Sequence, residues 1–443
     1  MLLAYNLVTN QGDDRCMEKF IIEGGIPLQG ELTPAGNKNA TLPLLAACLL
    51  TEESVILHNV PQIRDVLDMR RLIESLGVSV EDLGNRSWRV TAKQVRPADL
   101  DPDLTRRIRA SILLAGPMTA RAGELKLLPP GGDVIGRRRV DTHILALRAM
   151  GAEVEYDRSF RFRAHGLTGA DILLDEASVT GTENVIMAAV TARGTTILRN
   201  AASEPHVQEL CQMLNALGAR IDQIGSNTLS IEGVQSLHGG EFTIGADYLE
   251  VVSFIGAAVV TRGAIRIRNA GVQYLGMIRL VFNRMGVDWS VDGNDILVPA
   301  EQRLEIEPDL GGAIPSITVM PWPAFPTDLM SIAIVVATQA RGSILFHDWM
   351  YPSRMFFTDK LVGMGAQVVL CDPHRCIVNG PSKLYAEKLE SPDIRAGMSL
   401  LLAALAANGQ STIRNVSQID RGYENVDGKL RALGAKIERE KEH

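Results

Sequence analysis

"GTTILRNAASEPHVQELCQMLNALGARID", residues 194–222, is the stretch on which the fold turns. A β-branched segment follows Gly194, Asn200 marks a turn, and apolar residues at helical spacing run for about three turns. Leu217-Gly218-Ala219 then ends the helix and starts another strand. The pattern returns in "SVILHNVPQIRDVLDMRRLIESLGVSVE" (54–81), in the shortened "RRRVDTHILALRAMGAEVE" (137–155) and in "GAIRIRNAGVQYLGMIRLVFNRMGVDWSV" (263–291). It returns again in "GSILFHDWMYPSRMFFTDKLVGMGAQVVL" (342–370) and "QSTIRNVSQIDRGYENVDGKLRALGAKIE" (410–438). The helix-ending glycines, Gly77, Gly151, Gly218, Gly286, Gly365 and Gly434, fall roughly 70 residues apart, which marks internal duplication. Each should take left-handed backbone just past a helix end, where a Cβ is penalised.

Between the copies lie second helices of nearly continuous apolar character, such as "NATLPLLAACLL" (39–50), "ENVIMAAVTA" (183–192) and "AGMSLLLAALAA" (396–407). A helix apolar on every side belongs inside a core. Six β-α-β-α-β units around buried helices predict an α/β architecture, three units to a domain, because one core rarely grows to this size. The period is too long for common solenoids, so two compact lobes are expected, with a ligand cleft between them.

The 443 residues are 46% hydrophobic and carry a net charge of −7, which argues against a broad nucleic-acid face and leaves any basic cluster to serve a small anion. Cys16, Cys48, Cys211, Cys371 and Cys376 form no zinc spacing, and their odd number speaks against a disulfide framework, so a reducing cytoplasm is expected. No apolar run reaches membrane-spanning length, and the start lacks a signal-peptide pattern. Residues 1–16 read as a disordered extension or an upstream start-codon choice. The sequence sets no oligomeric state.

Three cations stand at equivalent helix starts: Lys38 in "PAGNKNATLPLLAA", Arg109 in "TRRIRASILLAGP" and Arg395 in "SPDIRAGMSLLLAAL". A helix start offers free N–H groups and partial positive charge, so a cation there makes an anion site. Alone, each is an ordinary surface residue; together they converge. In "FPTDLMSIAIVVATQA" Asp328 replaces the cation, and it fits either an N-cap or a general base in a cationic cleft. Arg354, in "YPSRMFF", reads by itself as a surface arginine. His143 and His206 have no second ligand at metal spacing, and the dinucleotide and P-loop glycine fingerprints are absent. In "LPPGGDVIGRRRVDTH" (128–143) a single acid, Asp133, sits on a glycine-rich loop before three arginines.

Together "GNKNATLPLLAA", "RASILLAGP", "LPPGGDVIGRRRVDTHI", "SVTGTEN", "FPTDL" and "RGYENVDGKLRALGAKI" resemble the UDP-N-acetylglucosamine enolpyruvyl transferases (1-carboxyvinyltransferases), from about Met17 to the C-terminus. The resemblance implies the inside-out α/β barrel of enolpyruvyl transferases, two domains of three units each. It assigns residues 17–37 with 246–443 to a first, discontinuous domain and 38–245 to a second. It implies transfer of the enolpyruvyl group of phosphoenolpyruvate to the sugar 3-hydroxyl of UDP-N-acetylglucosamine, with release of phosphate, by addition and elimination, at the first committed step of peptidoglycan precursor synthesis. Neither metal nor organic cofactor is implied. Lys38, Arg109 and Arg138 match the family's cations around the phosphate, Arg354 and Arg395 those around the carboxylate, and Asp328 the base. Asn39, Val140, Asp141, His143, Ser178, Val179 and Gly181, with Arg109, Arg138 and Asp328, match the contacts to the sugar nucleotide.

The family's usual loop cysteine is replaced by Asp133, a known minority variant. A carboxyl can deliver a proton but offers no thiolate, which predicts insensitivity to fosfomycin-type alkylation. The pattern also departs at Tyr248 and Val252, where Arg and Gly are usual, at Pro352, at Arg139 and at Glu176. These changes leave room for a carboxyvinyltransferase with another acceptor, or for a non-catalytic binding paralogue.

Overall fold

The computed structural model describes residues 18–132 and 139–442. The expected extension at 1–16, and the loop positions Asp133 and Arg138, lie outside the described residues. Among the described residues the strands form five four-stranded sheets and one three-stranded sheet. The three-stranded sheet, Glu124–Leu127 with Phe160–Arg163 and Glu153–Tyr156, belongs to the unit whose sequence copy is shortened. The other five sheets each add a parallel edge strand, as where Asp171–Leu173 runs beside Thr195–Arg199. The six helix-ending glycines all have positive φ. Gly218 shows why: at φ +98° a Cβ would also meet the His238 ring at 3.0 Å.

Two apolar cores organise these sheets. Phe20, Ile22, Leu28 and Leu32 pack with side chains from Tyr248 to Ile437, while the second core runs from Ala40 to Ile244. The N-terminal strands reach the first core by pairing with distant ones. Glu18–Glu23 lies between Gln410–Arg414 and Lys436–Lys441, and Gln29–Leu32 runs parallel to Ala264–Ile267. The chain therefore crosses twice between cores, near residues 35–38 and 244–247. These crossings are tied by an antiparallel bridge between Gly36 and Ala246, by Asn37 N–H to Gly245 O (2.8 Å) and by Asp247 N–H to Ala35 O (2.9 Å).

At the centre of the first core Tyr248–Thr261, Met330–Ala337 and Ile394–Ala406 pack on one another. They are apolar around the full circumference, so burial on all sides is their only stable arrangement. Lys38–Ala47, Ala115–Ala122 and Val179–Ala189 fill the second core in the same way. Two local expectations change. Arg109 opens a 3-10 segment, Arg109–Leu114, that leads into the α-helix. Asp328 is no N-cap: it lies inside the turn Thr327–Leu329, and its carboxylate is drawn to arginines instead.

Candidate active site

All six central segments begin at one cleft between the cores. It is lined by Lys38 and Asn39, Arg109 and Ala110, Val179 and Thr180, Tyr248, Thr327 and Asp328, and Ile394 and Arg395. Side chains cap four of these starts. Asn37 accepts from Asn39 and Ala40 N–H, Ser178 from Gly181 N–H, Asp247 from Leu249 and Glu250 N–H, and Asp393 from Arg395 and Ala396 N–H. Repeated helix starts aimed at one space, with cations beside them, favour an anionic occupant.

Asp328 lies between two guanidiniums. Arg354 Nη2 donates to its Oδ1 at 2.6 Å, and Arg395 Nη2 to its Oδ2 at 3.3 Å. Burial alone would raise this carboxyl, but Arg395, Arg354 and Lys38 outweigh it and hold it well below the usual carboxylate range. Both arginines are themselves fixed. Arg395 lies 5.7 Å over the Tyr423 ring and donates to its hydroxyl, which meets Ser253 Oγ at 2.9 Å. Arg354 lies 5.0 Å over Tyr351 and donates to Thr327 O, while its buried Nε has no partner among the described residues.

A second ion cluster spans both cores. Lys38 Nζ meets Asp65 Oδ2 at 2.6 Å, and Arg421 Nε meets Asp65 Oδ1 at 3.0 Å. Burial raises the Asp65 carboxyl, and the two cations reverse that and lower it. Lys38 also donates its backbone N–H to Asp247 Oδ2 (3.4 Å), so the Asp247 carboxylate ties together the starts of two central helices, one from each core. Glu250, one turn on, accepts from Ala35 N–H at 2.7 Å and pairs with Lys429.

Of the residues singled out in the sequence, Lys38, Asn39, Arg109, Val179, Asp328, Arg354 and Arg395 line the cleft together. Val140, Asp141, His143, Ser178 and Gly181 do not line it: Asp141 is exposed, and His143, Ser178 and Gly181 surround the helix start at Thr180. His143 Nε2 contacts Thr180 Oγ1 at 2.9 Å, and a Cβ on Gly181 would meet Ser178 and Thr142. Burial and the Arg109 charge push the His143 imidazole down to about 4, so it is neutral. Arg139, puzzling in the sequence, bridges Asp141 (3.3 Å) and Asp175 (2.9 Å), and its carbonyl accepts from Arg109 at 2.8 Å. Glu176 is exposed, and Val252 is fully buried in the first core. Tyr248 packs 5.9 Å from Trp322, whose carbonyl accepts from Ser203 Oγ across the cleft.

Sequence reasoning missed Asp65, Arg421, Glu183, Glu204 and Trp322, and it weighed His206 only as a metal ligand. All six line the same cleft. Asp65 is an acid in the first turn of a helix, an ordinary place for one, and Glu183 lay unremarked in "SVTGTEN". Among the described residues no group of His, Cys, Asp and Glu could hold a metal ion, and no helix is long and apolar enough to cross a membrane.

Residues 22–430 match the family model described as EPSP synthase (3-phosphoshikimate 1-carboxyvinyltransferase). A UDP-N-acetylglucosamine 1-carboxyvinyltransferase from Treponema denticola is 53% identical over 95% of this chain and 99% of its own. One from Bradyrhizobium diazoefficiens is 56% identical over 95% and 98%. Among solved structures, the enolpyruvyl transferase NikO from Streptomyces tendae superposes with a TM-score of 0.85 at 25% identity, covering 97% of this chain and 100% of that one. An EPSP synthase from Acinetobacter baumannii shares the fold with a TM-score of 0.73 at 18% identity, over 96% and 100%.

Proposed function

The chain belongs to the UDP-N-acetylglucosamine 1-carboxyvinyltransferases, a branch of the enolpyruvyl transferases, and on that premise we propose how its cleft performs the transfer. The enolpyruvyl group of phosphoenolpyruvate passes to the 3-hydroxyl of UDP-N-acetylglucosamine and phosphate leaves, a step of peptidoglycan precursor synthesis in the cytoplasm. The observation that carries this reading is the convergence of Lys38, Arg109, Arg354, Arg395 and Arg421 on one cleft between the two cores, where Arg354 and Arg395 hold Asp328 ionised and Lys38 and Arg421 hold Asp65.

Phosphoenolpyruvate is a small frame with a carboxylate and a phosphate, and guanidinium forks match both. Arg354 and Arg395 take the carboxylate; Lys38 and Arg109, with Arg138 from the loop, take the phosphate. Asp328, ionised by its arginines, aligns the sugar hydroxyl and draws on its proton as the oxygen attacks C2. The former double-bond pair takes a proton at C3, and Asp133 is the loop acid assigned to deliver it. Elimination removes a C3 proton, restores the double bond and breaks the bond from C2 to the phosphate oxygen. Asn39, Val179 and the segments Val140 to His143 and Ser178 to Gly181 serve the sugar nucleotide. Closing the two cores over the site excludes water and strengthens each charge contact.

The test is phosphate release from phosphoenolpyruvate with UDP-N-acetylglucosamine or with shikimate 3-phosphate as acceptor. Release with the sugar nucleotide alone is the expected result. Release with shikimate 3-phosphate alone, or with neither, would overturn the reading.

A further inference from the structure

Asp328 has an unsolved difficulty as a base. A carboxylate held ionised by two arginines and a lysine orients a hydroxyl well, but it binds a proton weakly at neutral pH. The cleft holds a further acidic group outside the Asp328 and Asp65 clusters. Glu183, in the helix Val179–Ala189, and Glu204, immediately before the helix Pro205–Ala216, both line it, with His206 beside them. Glu183 is 1% exposed and His206 5%. Glu183 Oε1, Glu204 Oε2 and His206 Nδ1 are all buried and, among the described residues, have no hydrogen-bond partner. Three orphaned polar atoms on one wall of one cleft are costly unless the chemistry uses them.

We propose that Glu204 is a further catalytic residue, the group that stores the sugar hydroxyl's proton, received by way of Asp328, until phosphate departs. The inference rests on the reaction assigned above. As the hydroxyl oxygen bonds C2, its O–H bond breaks and the proton passes through Asp328 to the Glu204 carboxylate. When C2 releases the phosphate, that oxygen leaves with the bonding pair and takes up one proton, so the hydroxyl's proton ends on phosphate and Glu204 is ionised again. No oxidant or further reactant is needed.

The surroundings of Glu204 suit such a store. Burial pushes its carboxyl up to about 7, with backbone N–H groups at Glu204, Trp322 and Ser203 opposing the rise and the nearby Asp328 charge adding to it. Glu183, facing it from the neighbouring helix, is raised well above the usual range by burial and by Glu204. Burial lowers His206 to about 4, with Asp328 pulling it up and Arg395 pushing it down, so it too is neutral. Tyr248, from the first core, is raised far above its usual range by burial, Asp328 and Glu204. Glu204, raised to about 7, changes charge near neutrality.

The experiment is the pH profile of kcat for the wild type and for Glu204→Gln. The ionised carboxylate is the competent form, so wild-type kcat should rise with pH through about 7. Glu204→Gln should be at least about 100-fold slower and flat there, with KM values little changed. Glu204→Asp should recover part of the rate and the rising limb. A Glu204→Gln enzyme that keeps the limb, or stays within about threefold of wild-type kcat, overturns the proposal.

Infrared titration of the carboxyl stretch gives a readout independent of turnover. Burial also pushes Glu209 to about 7, so the titration is run in Glu209→Gln. A carboxyl titrating near neutrality should remain; none remaining overturns the proposal even if Glu204→Gln fails to fold. A wild type that turns over no UDP-N-acetylglucosamine would instead sink the reaction assignment.

Discussion

Asp328 and Asp65 lie in the same cleft, each held between two cations, yet they do different work. Asp328 and both its arginines come from the first core. Asp65 and Lys38 come from the second core, and Arg421 reaches Asp65 from the first. The first cluster keeps its two arginine pairs however the two cores sit relative to each other, and only the Lys38 charge reaches it from the second. The second exists only while they are together. A reactive carboxylate is therefore built on one rigid body, and the cation assigned to phosphate is tied to the closure of two.

That contrast can be broken at either end. The largest effect is expected from Asp328→Asn, which should lower kcat by about 100- to 10,000-fold in a phosphate-release assay. KM for phosphoenolpyruvate should not rise, because Arg354 and Arg395 lose a competitor for the substrate carboxylate. A near-normal kcat would remove Asp328 from the chemistry. Lys38→Ala should also abolish measurable turnover, by removing a phosphate cation and leaving Asp65 with Arg421 alone; a near-normal rate would remove Lys38 from the mechanism.

Asp65→Asn should act on stability and closure together. Breaking a buried ion cluster costs about 3 kcal/mol, read as a lower denaturation midpoint, and the loss should need Arg421 to be present. Additive effects of Asp65→Asn and Arg421→Met would show that the two do not communicate. His206 separates the clusters by pH. It is neutral in the fold down to about 4, whereas an unfolded histidine takes a proton below about 6.5. Its contribution to stability is complete above about 6.5 and is lost as pH falls towards 4, by up to about 1.4 kcal/mol per unit. His206→Gln should remove its share of that loss in chemical denaturation at pH 5 and 7, leaving the similar share of His143, whereas Asp65→Asn should leave both in place. The smallest effect is none: with Asp133 in place of a cysteine, a fosfomycin-type epoxide should leave activity intact, and rapid covalent inactivation mapped to Asp133 would contradict it.

Six copies of one pattern made the sheet-and-helix plan legible, because each copy repeats its own local signals: a β-branched strand, a helix and a left-handed glycine. Lys38, Arg109 and Arg395 were legible for the same reason, since equivalent helix starts put them at equivalent places. Asp65 and Arg421 were not, because the hydrogen bond joining them closes a separation of 356 residues that no local pattern encodes. Glu183 and Glu204 were hidden by burial, since a glutamate's proton affinity depends on what surrounds it in three dimensions. Arg139 had no evident role in the sequence because its partner Asp175 comes from a different unit.

The most direct measurement follows the bridging oxygen of phosphoenolpyruvate. Substrate labelled there with heavy oxygen is incubated with UDP-N-acetylglucosamine, and both products are weighed by mass spectrometry. The sugar nucleotide should gain the three-carbon enolpyruvyl unit, and the released phosphate should carry the label. An unmodified sugar nucleotide, or phosphate without label, would contradict the transfer assigned to this cleft.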